Sequence, residues 1–475
     1  MIKMPNKKII KKRNINQNKP ISGSYIGAKI WNILNCNVIV FIIIVAVYLS
    51  FNVTIQMNYK PNFVKYPADF QVKDLTPDAK LYYGLAQNLV NGTGFYDTIR
   101  NAETLPSIGH PAFLALFCFV MGLSPGQFTW MFFMLSFVLL AAAIRIYCRS
   151  NILALLAIML MEGFFRYIWW YSANVEATII FANTLLAFGL AIFYKKNYSK
   201  KMGLVCGIIL YIHLILRPIF LYPMHLFFVF LVFLFLYLYA TKKTVSFAGF
   251  IRGWLVLLIT AECLIWLTYG YSMIRYHDQR LVNGTYGALA LYLGNTIYIP
   301  PDNVFDYRVK RPVEFERMMN LKLDNPGMKW QESHKILMNE VKKYWKEHPS
   351  LAVKGLWWRF RQFLGLWTGN FSSKDPIKMN HAFLVFVLFT MLVIRFALAF
   401  VKRKLTDIVY DLTNSLGVLF AGLFLIYCAF ASLFSYIGFR YASVTIPLFI
   451  AVDAFLLAEV VRKVVALINP KTGKA

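Results

Sequence analysis

Asp78 stands near the head of the stretch DLTPDAKLYYGLAQNLVNGTGFY (Asp74–Tyr96), and a carboxylate so placed has two possible uses. As a general base it withdraws the proton from an attacking hydroxyl, a contribution of typically about 100- to 10,000-fold. As a charge at the start of a helix it contributes only about 0.3–1 kcal/mol. The local sequence leaves both open. Complementary cations occur at His110-Pro111, Arg217-Pro218 and Arg440-Tyr441, each beside a hydrophobic run. Arginine and histidine can hold a departing phosphate through charge-assisted hydrogen bonds. Glu162 and Arg166 close another apolar run, Glu176 opens the next in YSANVEATIIFANTLLAF, and His213 lies a turn before Arg217. An ionised side chain at the centre of a membrane helix costs roughly 2.5–3.5 kcal/mol on insertion scales, so several converging on one membrane face imply a site.

If the reaction moves a sugar from a polyprenyl phosphate, the roles divide cleanly. Arg440, Arg217 and His110 supply positive charge for the departing phosphate, and Asp78 activates the acceptor hydroxyl. There is no phosphate-cradling glycine loop, which argues against a nucleotide donor; the Gly92–Gly94 GTG reads as a turn. No set of His, Asp and Glu has metal-ligand spacing, so no cofactor is assigned with certainty. Asp74 and Asp78 form a weak candidate pair for a divalent metal.

A helix must carry Asp78. Thr76-Pro77-Asp78 is a helix start, with Thr as cap, Pro at the first helical position and an acid in the first turn. Asn91-Gly92 is a stop. Between them Leu81, Tyr82, Leu85 and Leu89 share one face, with Lys80, Gly84, Gln87 and Asn91 across from them. Such a helix is too short and polar to span and is expected to lie along the outer interface.

Its surroundings are apolar. The chain of 475 residues is 59% hydrophobic and 15% charged, and runs such as FLYPMHLFFVFLVFLFLYLYA (Phe220–Ala240) approach the roughly 20 residues of a membrane helix. Length and weak alternation favour helices over barrel strands. The net charge of +28 would suggest nucleic acid in a soluble protein. Here Lys and Arg collect in short loops between apolar runs, as the positive-inside rule requires, and the basic N-terminus fits contact with anionic lipid. The six cysteines are scattered through apolar runs as packing residues.

Loop charges predict the topology. Apolar runs begin near residues 35, 111, 128, 152, 175, 204, 220, 254, 382, 416 and 441. If Pro111–Leu123 lies in the outer interface instead of crossing, Arg145/Arg149, Lys195–Lys201, Lys242/Lys243/Arg252, Lys402–Lys404 and Arg462/Lys463 all fall inside. The expectation is an all-α polytopic protein with about ten transmembrane helices and both termini cytoplasmic. Residues 1–34 form a basic cytoplasmic N-terminus. Residues 35–274 form a transmembrane domain that includes a first outer loop, 56–127, with juxtamembrane helices. Residues 275–380 form an extracytoplasmic loop subdomain, 381–461 the last transmembrane helices, and 462–475 a cytoplasmic tail. Glu262, Asp453 and Arg395 fall within spans and are expected to pair with one another.

Several of these segments together resemble the GT-C fold membrane glycosyltransferases, including the family-39 protein mannosyltransferase-like enzymes and the lipid A aminoarabinose transferase group. PDAKLYYGLAQNLVNGTGFY is similar to their first outer loop, with Asp78, Tyr82, Ala86, Leu89, Gly92, Gly94 and Phe95 on the family pattern. GHPAFLALFCFVMG resembles the juxtamembrane helix that follows, SANVEATIIFANTLLAF the acid-led fourth span with Glu176, LILRPIFLYP the Arg-Pro turn, and FRYASVTIPLF the late Arg-Tyr segment. KEHPSLAVKGLWWRFRQFLGLW resembles the amphipathic stretch before the later spans. Some relatives carry two adjacent acids in the first loop, whereas here the second acid, Asp74, lies four residues earlier.

The resemblance implies a polyprenyl-phosphate-sugar dependent, inverting glycosyltransferase on the outer face of a bacterial cytoplasmic membrane. Asp78 is then catalytic, and Arg440, Tyr441, Arg217, His110, Glu176, Tyr82 and Lys80 bind substrate. The partners are the lipid-linked donor and a lipid, glycan or protein acceptor, with no nucleic acid. The rival expectation is a flippase or transporter of lipid-linked glycans, which would favour internal repeats and broken helices meeting at the midplane. No repeat is visible in the sequence.

Overall fold

A computed structural model describes residues 77–94, 108–168, 176–216, 221–240, 244–276, 330–364, 376–401, 414–434 and 444–468, with isolated positions that include Leu75, Ile408 and Asp411. The expected first span, much of the 275–380 loop, and Asp74, Arg217, Arg440 and Tyr441 lie outside the described residues. So do the side chains of Asp78, Glu162 and Arg166.

The described elements are helical. They are α1 (Pro77–Val90), α2 (Gly109–Leu114, continuing as a π-helix over Ala115–Val120), α3 (Pro125–Cys148), α4 (Asn151–Ile168) and α5 (Glu176–Lys195). Then follow α6 (Lys200–Leu216), α7 (Leu221–Ala240), α8 (Thr244–Tyr276), α9 (Trp330–Glu347), α10 (Pro349–Phe363), α11 (Pro376–Phe400), α12 (Leu416–Phe434) and α13 (Ile446–Ile468). Five are long and apolar enough to cross a membrane: α3, α5, Gly249–Tyr271 of α8, Phe383–Phe400 of α11 and Leu416–Leu433 of α12. The chain is thus a helical, multi-pass membrane protein. Large apolar side chains also face outward, among them Phe233, Trp266, Phe386 and Val393, as expected of surfaces against lipid.

Local signals set the first elements. α1 ends at Val90 in a Schellman motif, with Gly92 at φ +76°, its N–H on Leu89 O and the Thr93 N–H on Asn88 O. α2 and its π continuation are six residues each, at most about 18 Å together. That is short of a hydrocarbon layer of about 30 Å. α3 starts in a capping box: Ser124 Oγ accepts from the Gln127 N–H, and Gln127 Oε1 accepts from the Ser124 N–H, with Pro125 at the first position.

α3 packs against α5, and α6 packs against both α5 and α8. Gly203 and Gly207 bring α6 onto α8: an added Cβ would lie 2.7 Å from Gly253 O at the first and 2.6 Å from Leu257 O at the second. This close approach of backbones is the usual way membrane helices maximise packing where no water drives association.

Polar side chains tie the bundle at two opposite ends. At one, Glu459 of α13 accepts hydrogen bonds from Tyr147 of α3, from Ser415, from the Gly417 N–H of α12 at 2.9 Å and from Arg395 Nε of α11 at 3.1 Å. Arg395 also donates to Asp411 Oδ2 at 2.9 Å, and Lys463 donates to Asp411 Oδ1 at 2.6 Å. Two cations and two anions thus balance. The expected pairing among Glu262, Asp453 and Arg395 does not occur. Arg395 takes Glu459 and Asp411, Glu262 lies 2.7 Å from His225 Nε2, and the Asp453 carboxylate has no hydrogen-bond partner among the described residues. The reason is position: Glu459 lies six residues further along α13, level with Arg395.

Burial pushes the Asp411 carboxyl up, but hydrogen bonds from Lys463 and Arg395 outweigh it and hold it below its ordinary value of 3.8. A carboxyl depressed by folding stabilises the native state above its unfolded pKa, and that contribution is lost as pH falls through the lower folded value. Wild-type thermal stability should therefore fall below about pH 4. Asp411→Asn should be less stable at neutral pH and show a shallower acid limb. Thermal unfolding across pH 2.5 to 7, about the range bracketing an ordinary Asp, checks this; identical acid limbs would contradict it.

Candidate functional site

The opposite end gathers the first-loop helices and the ends of three later ones. α1 buries Leu81, Leu85 and Ala86, while Lys80, Gln87 and Asn91 are exposed. The buried face packs on α2. Tyr82 meets the His110 ring edge-on at 4.9 Å, and Tyr83 packs on Phe119 at 4.7 Å. The sequence places Asp78 in the first turn of α1, one turn before Tyr82.

His110 joins this unit to the bundle. It is 0% exposed, and its Nδ1 is hydrogen-bonded to Thr178 Oγ1 of α5 at 3.0 Å. Next to it, an added Cβ on Gly109 would lie 2.8 Å from the Ile215 backbone, so the start of α2 abuts the end of α6 directly. That close approach admits only glycine. Leu216 then ends α6, immediately before Arg217 in sequence.

A second histidine extends the chain of buried polar groups. Asn183 Nδ2 donates to Val444 O at 2.6 Å, and Asn183 Oδ1 lies 2.6 Å from His213 Nε2. Since that amide oxygen can only accept, His213 carries its proton on Nε2. Val444 lies just before α13 and four residues after Arg440. α1, α2, the start of α5, the end of α6 and the approach to α13 therefore share one end of the bundle.

Of the residues expected to bind substrate, the structure brings together Tyr82 and His110; Glu176 lies two residues before Thr178 on α5. Glu176 begins α5 and is 3% exposed. His110 is fully buried, is engaged by Thr178 and Tyr82, and joins α2 to α5. Lys80 sits on the exposed side of α1.

Arg359 of α10 is a cation that the expected site did not include. It is 1% exposed and donates from Nε to Ser432 O of α12 at 2.6 Å. Burial pulls its pKa down to about 10, so it remains charged at neutral pH. In sequence its context WWRFR belongs to an amphipathic stretch, and the cation set between aromatic residues is the one signal of its burial. Thr178 and Asn183 offered no local signal, being ordinary residues of an apolar helix.

No protein-family model matches the chain, and no curated protein or solved structure matches it significantly.

Proposed function

We propose that the chain is an inverting glycosyltransferase of the GT-C type, with about ten spans and both termini cytoplasmic. It would move a sugar from a polyprenyl-phosphate donor to a lipid, glycan or protein acceptor at the outer face of a bacterial plasma membrane. The observation that carries this reading is the docking of α1, with Asp78 in its first turn, onto the bundle end formed by α2, the start of α5 and the end of α6. A carboxylate held there can take the proton of an acceptor hydroxyl. Arg217 and Arg440, which adjoin segments at that same end in sequence, are the cations for the departing phosphate. In this reading Glu176, Tyr82, Lys80 and Tyr441 are the further substrate-binding residues. The reading assigns no metal. The rival, a flippase or transporter, is favoured by Asp453 within α13, whose buried carboxylate has no hydrogen-bond partner among the described residues.

Arg440→Lys tests the phosphate contact. Lysine keeps the charge but loses the planar fork that can grip a phosphate bidentately. The variant should fold normally and lose donor binding or turnover; unchanged turnover would remove Arg440 from the site.

Sidedness follows from the loop charges. In intact cells, a membrane-impermeant thiol reagent should label a cysteine at Asn325 and spare one at Ser199. The opposite pattern would invert the map and put the site on the wrong side of the membrane.

A further inference from the structure

α10 presents a face that packing among the described residues leaves open. Ala352, Gly355 and Arg359 lie on its buried side, which is seated on α12. On the other side Val353 is 58% and Trp357 59% exposed, with Leu351 and Lys354 also exposed and Arg361 partly so. α10 carries Lys354, Arg359 and Arg361 and no acidic residue.

Its height relative to the bundle is fixed by Arg359. The carbonyl that Arg359 grips belongs to Ser432, two residues from the end of α12. α12 has 19 residues, about 28 Å of helix, nearly the thickness of a hydrocarbon layer. The end of α12 therefore marks the boundary between hydrocarbon and headgroups, and α10 lies at that boundary. α9, by contrast, exposes Lys335, Glu340, Lys342, Lys343 and Lys346 with a single large apolar residue among those described, Ile336; it buries Leu337 and Val341 and packs on α10.

We infer that α10 is a membrane-surface anchor whose Val353 and Trp357 enter the leaflet next to the end of α12, while Lys354 and Arg361 bind anionic phospholipid headgroups. The chemistry on both sides matches. Tryptophan favours the interface because one end of its ring is polar and the rest apolar. Lys and Arg lay their aliphatic stems on the apolar layer and send the charge to phosphate. A basic helix with an apolar face lies in the interface plane, held by buried area plus attraction to anionic lipid. The consequence is that the polar 330–363 unit rides on the bilayer at the bundle end that also carries α1 and α2. This inference stands apart from the proposed sugar transfer.

The test uses the full chain in nanodiscs, with the native cysteines replaced by serine and single nitroxide labels at Val353→Cys, Trp357→Cys, Glu340→Cys and Lys343→Cys. In discs containing phosphatidylglycerol, labels at 353 and 357 should be quenched more by oxygen, which concentrates in lipid, than by a water-soluble nickel chelate. Labels at 340 and 343 should show the reverse. In discs of phosphatidylcholine alone, the label at 353 should sit measurably shallower. If Trp357→Cys does not fold, Val353→Cys still decides, because valine to cysteine is a small change on an exposed face. Water-like accessibility at 353 would overturn the anchor. Exclusion of both quenchers there would overturn it in favour of a second copy or another protein on this face. Equal depth in the two lipids would overturn the anionic-headgroup part.

Discussion

Asp78→Asn is expected to cut sugar transfer by about 100-fold or more while leaving expression and donor binding near those of wild type. A sugar hydroxyl is a poor nucleophile until its proton is withdrawn as the bond to the anomeric carbon forms. Asparagine is nearly isosteric and can still accept a hydrogen bond, but it cannot take the proton. The packing of α1 rests on Leu81, Leu85, Ala86 and the Tyr82–His110 contact, all downstream of position 78, so the helix should remain docked. Asp74→Asn should cost much less, because Asp74 precedes the helix start at Pro77. Initial transfer rates of the two variants check both statements. Full activity in Asp78→Asn with none in Asp74→Asn would mean the other carboxylate is the base. Full activity in both would leave Asp78 as no more than a helix-start charge.

Glu459→Ala is expected to destabilise the fold by about 3–5 kcal/mol, the usual cost of removing one member of a buried ion pair. The loss arises because Arg395, 2% exposed, keeps its charge while one of its two carboxylates disappears. The Gly417 N–H and the hydroxyls of Tyr147 and Ser415 lose their acceptor at the same time. Replacing Arg395 and Glu459 together by leucine should cost clearly less than the sum of the single replacements, because no uncompensated charge is left from that pair. Thermal or denaturant unfolding in detergent checks this. A loss of under about 1 kcal/mol for Glu459→Ala, the size typical of an exposed pair, would show that water reaches and compensates Arg395.

These two residues differ in how far the sequence announces them. The helix around Asp78 is written locally: a Pro at its first position, four apolar residues on one face, and an Asn-Gly stop that the structure realises as a left-handed Gly92. The short α2 is likewise visible in its flanking His-Pro and Pro-Gly pairs. Glu459 is different. Its partners Tyr147 and Arg395 lie 312 and 64 residues away, and nothing in the neighbourhood of any one of them names the others. The same holds for Asn183, whose amide reaches Val444 across 261 residues. Periodicity reports which face of a helix is buried, but not which helix covers it, and so the expected pairing of Arg395 with Asp453 missed by six residues along α13. The apolar runs told which segments belong in lipid; the glycines that let α6 meet α8 were ordinary in sequence and acquire meaning only from the facing backbone.

The central claim, that this chain transfers a sugar and does not merely carry one across the bilayer, is tested most directly by following a labelled polyprenyl-phosphate sugar in membranes that contain the native acceptor. Wild-type protein should release free polyprenyl phosphate as label appears in the acceptor, and Asp78→Asn should reduce both together by about 100-fold or more. Donor that crosses the bilayer with its sugar–phosphate bond intact, at equal rates in wild type and Asp78→Asn, would contradict the account.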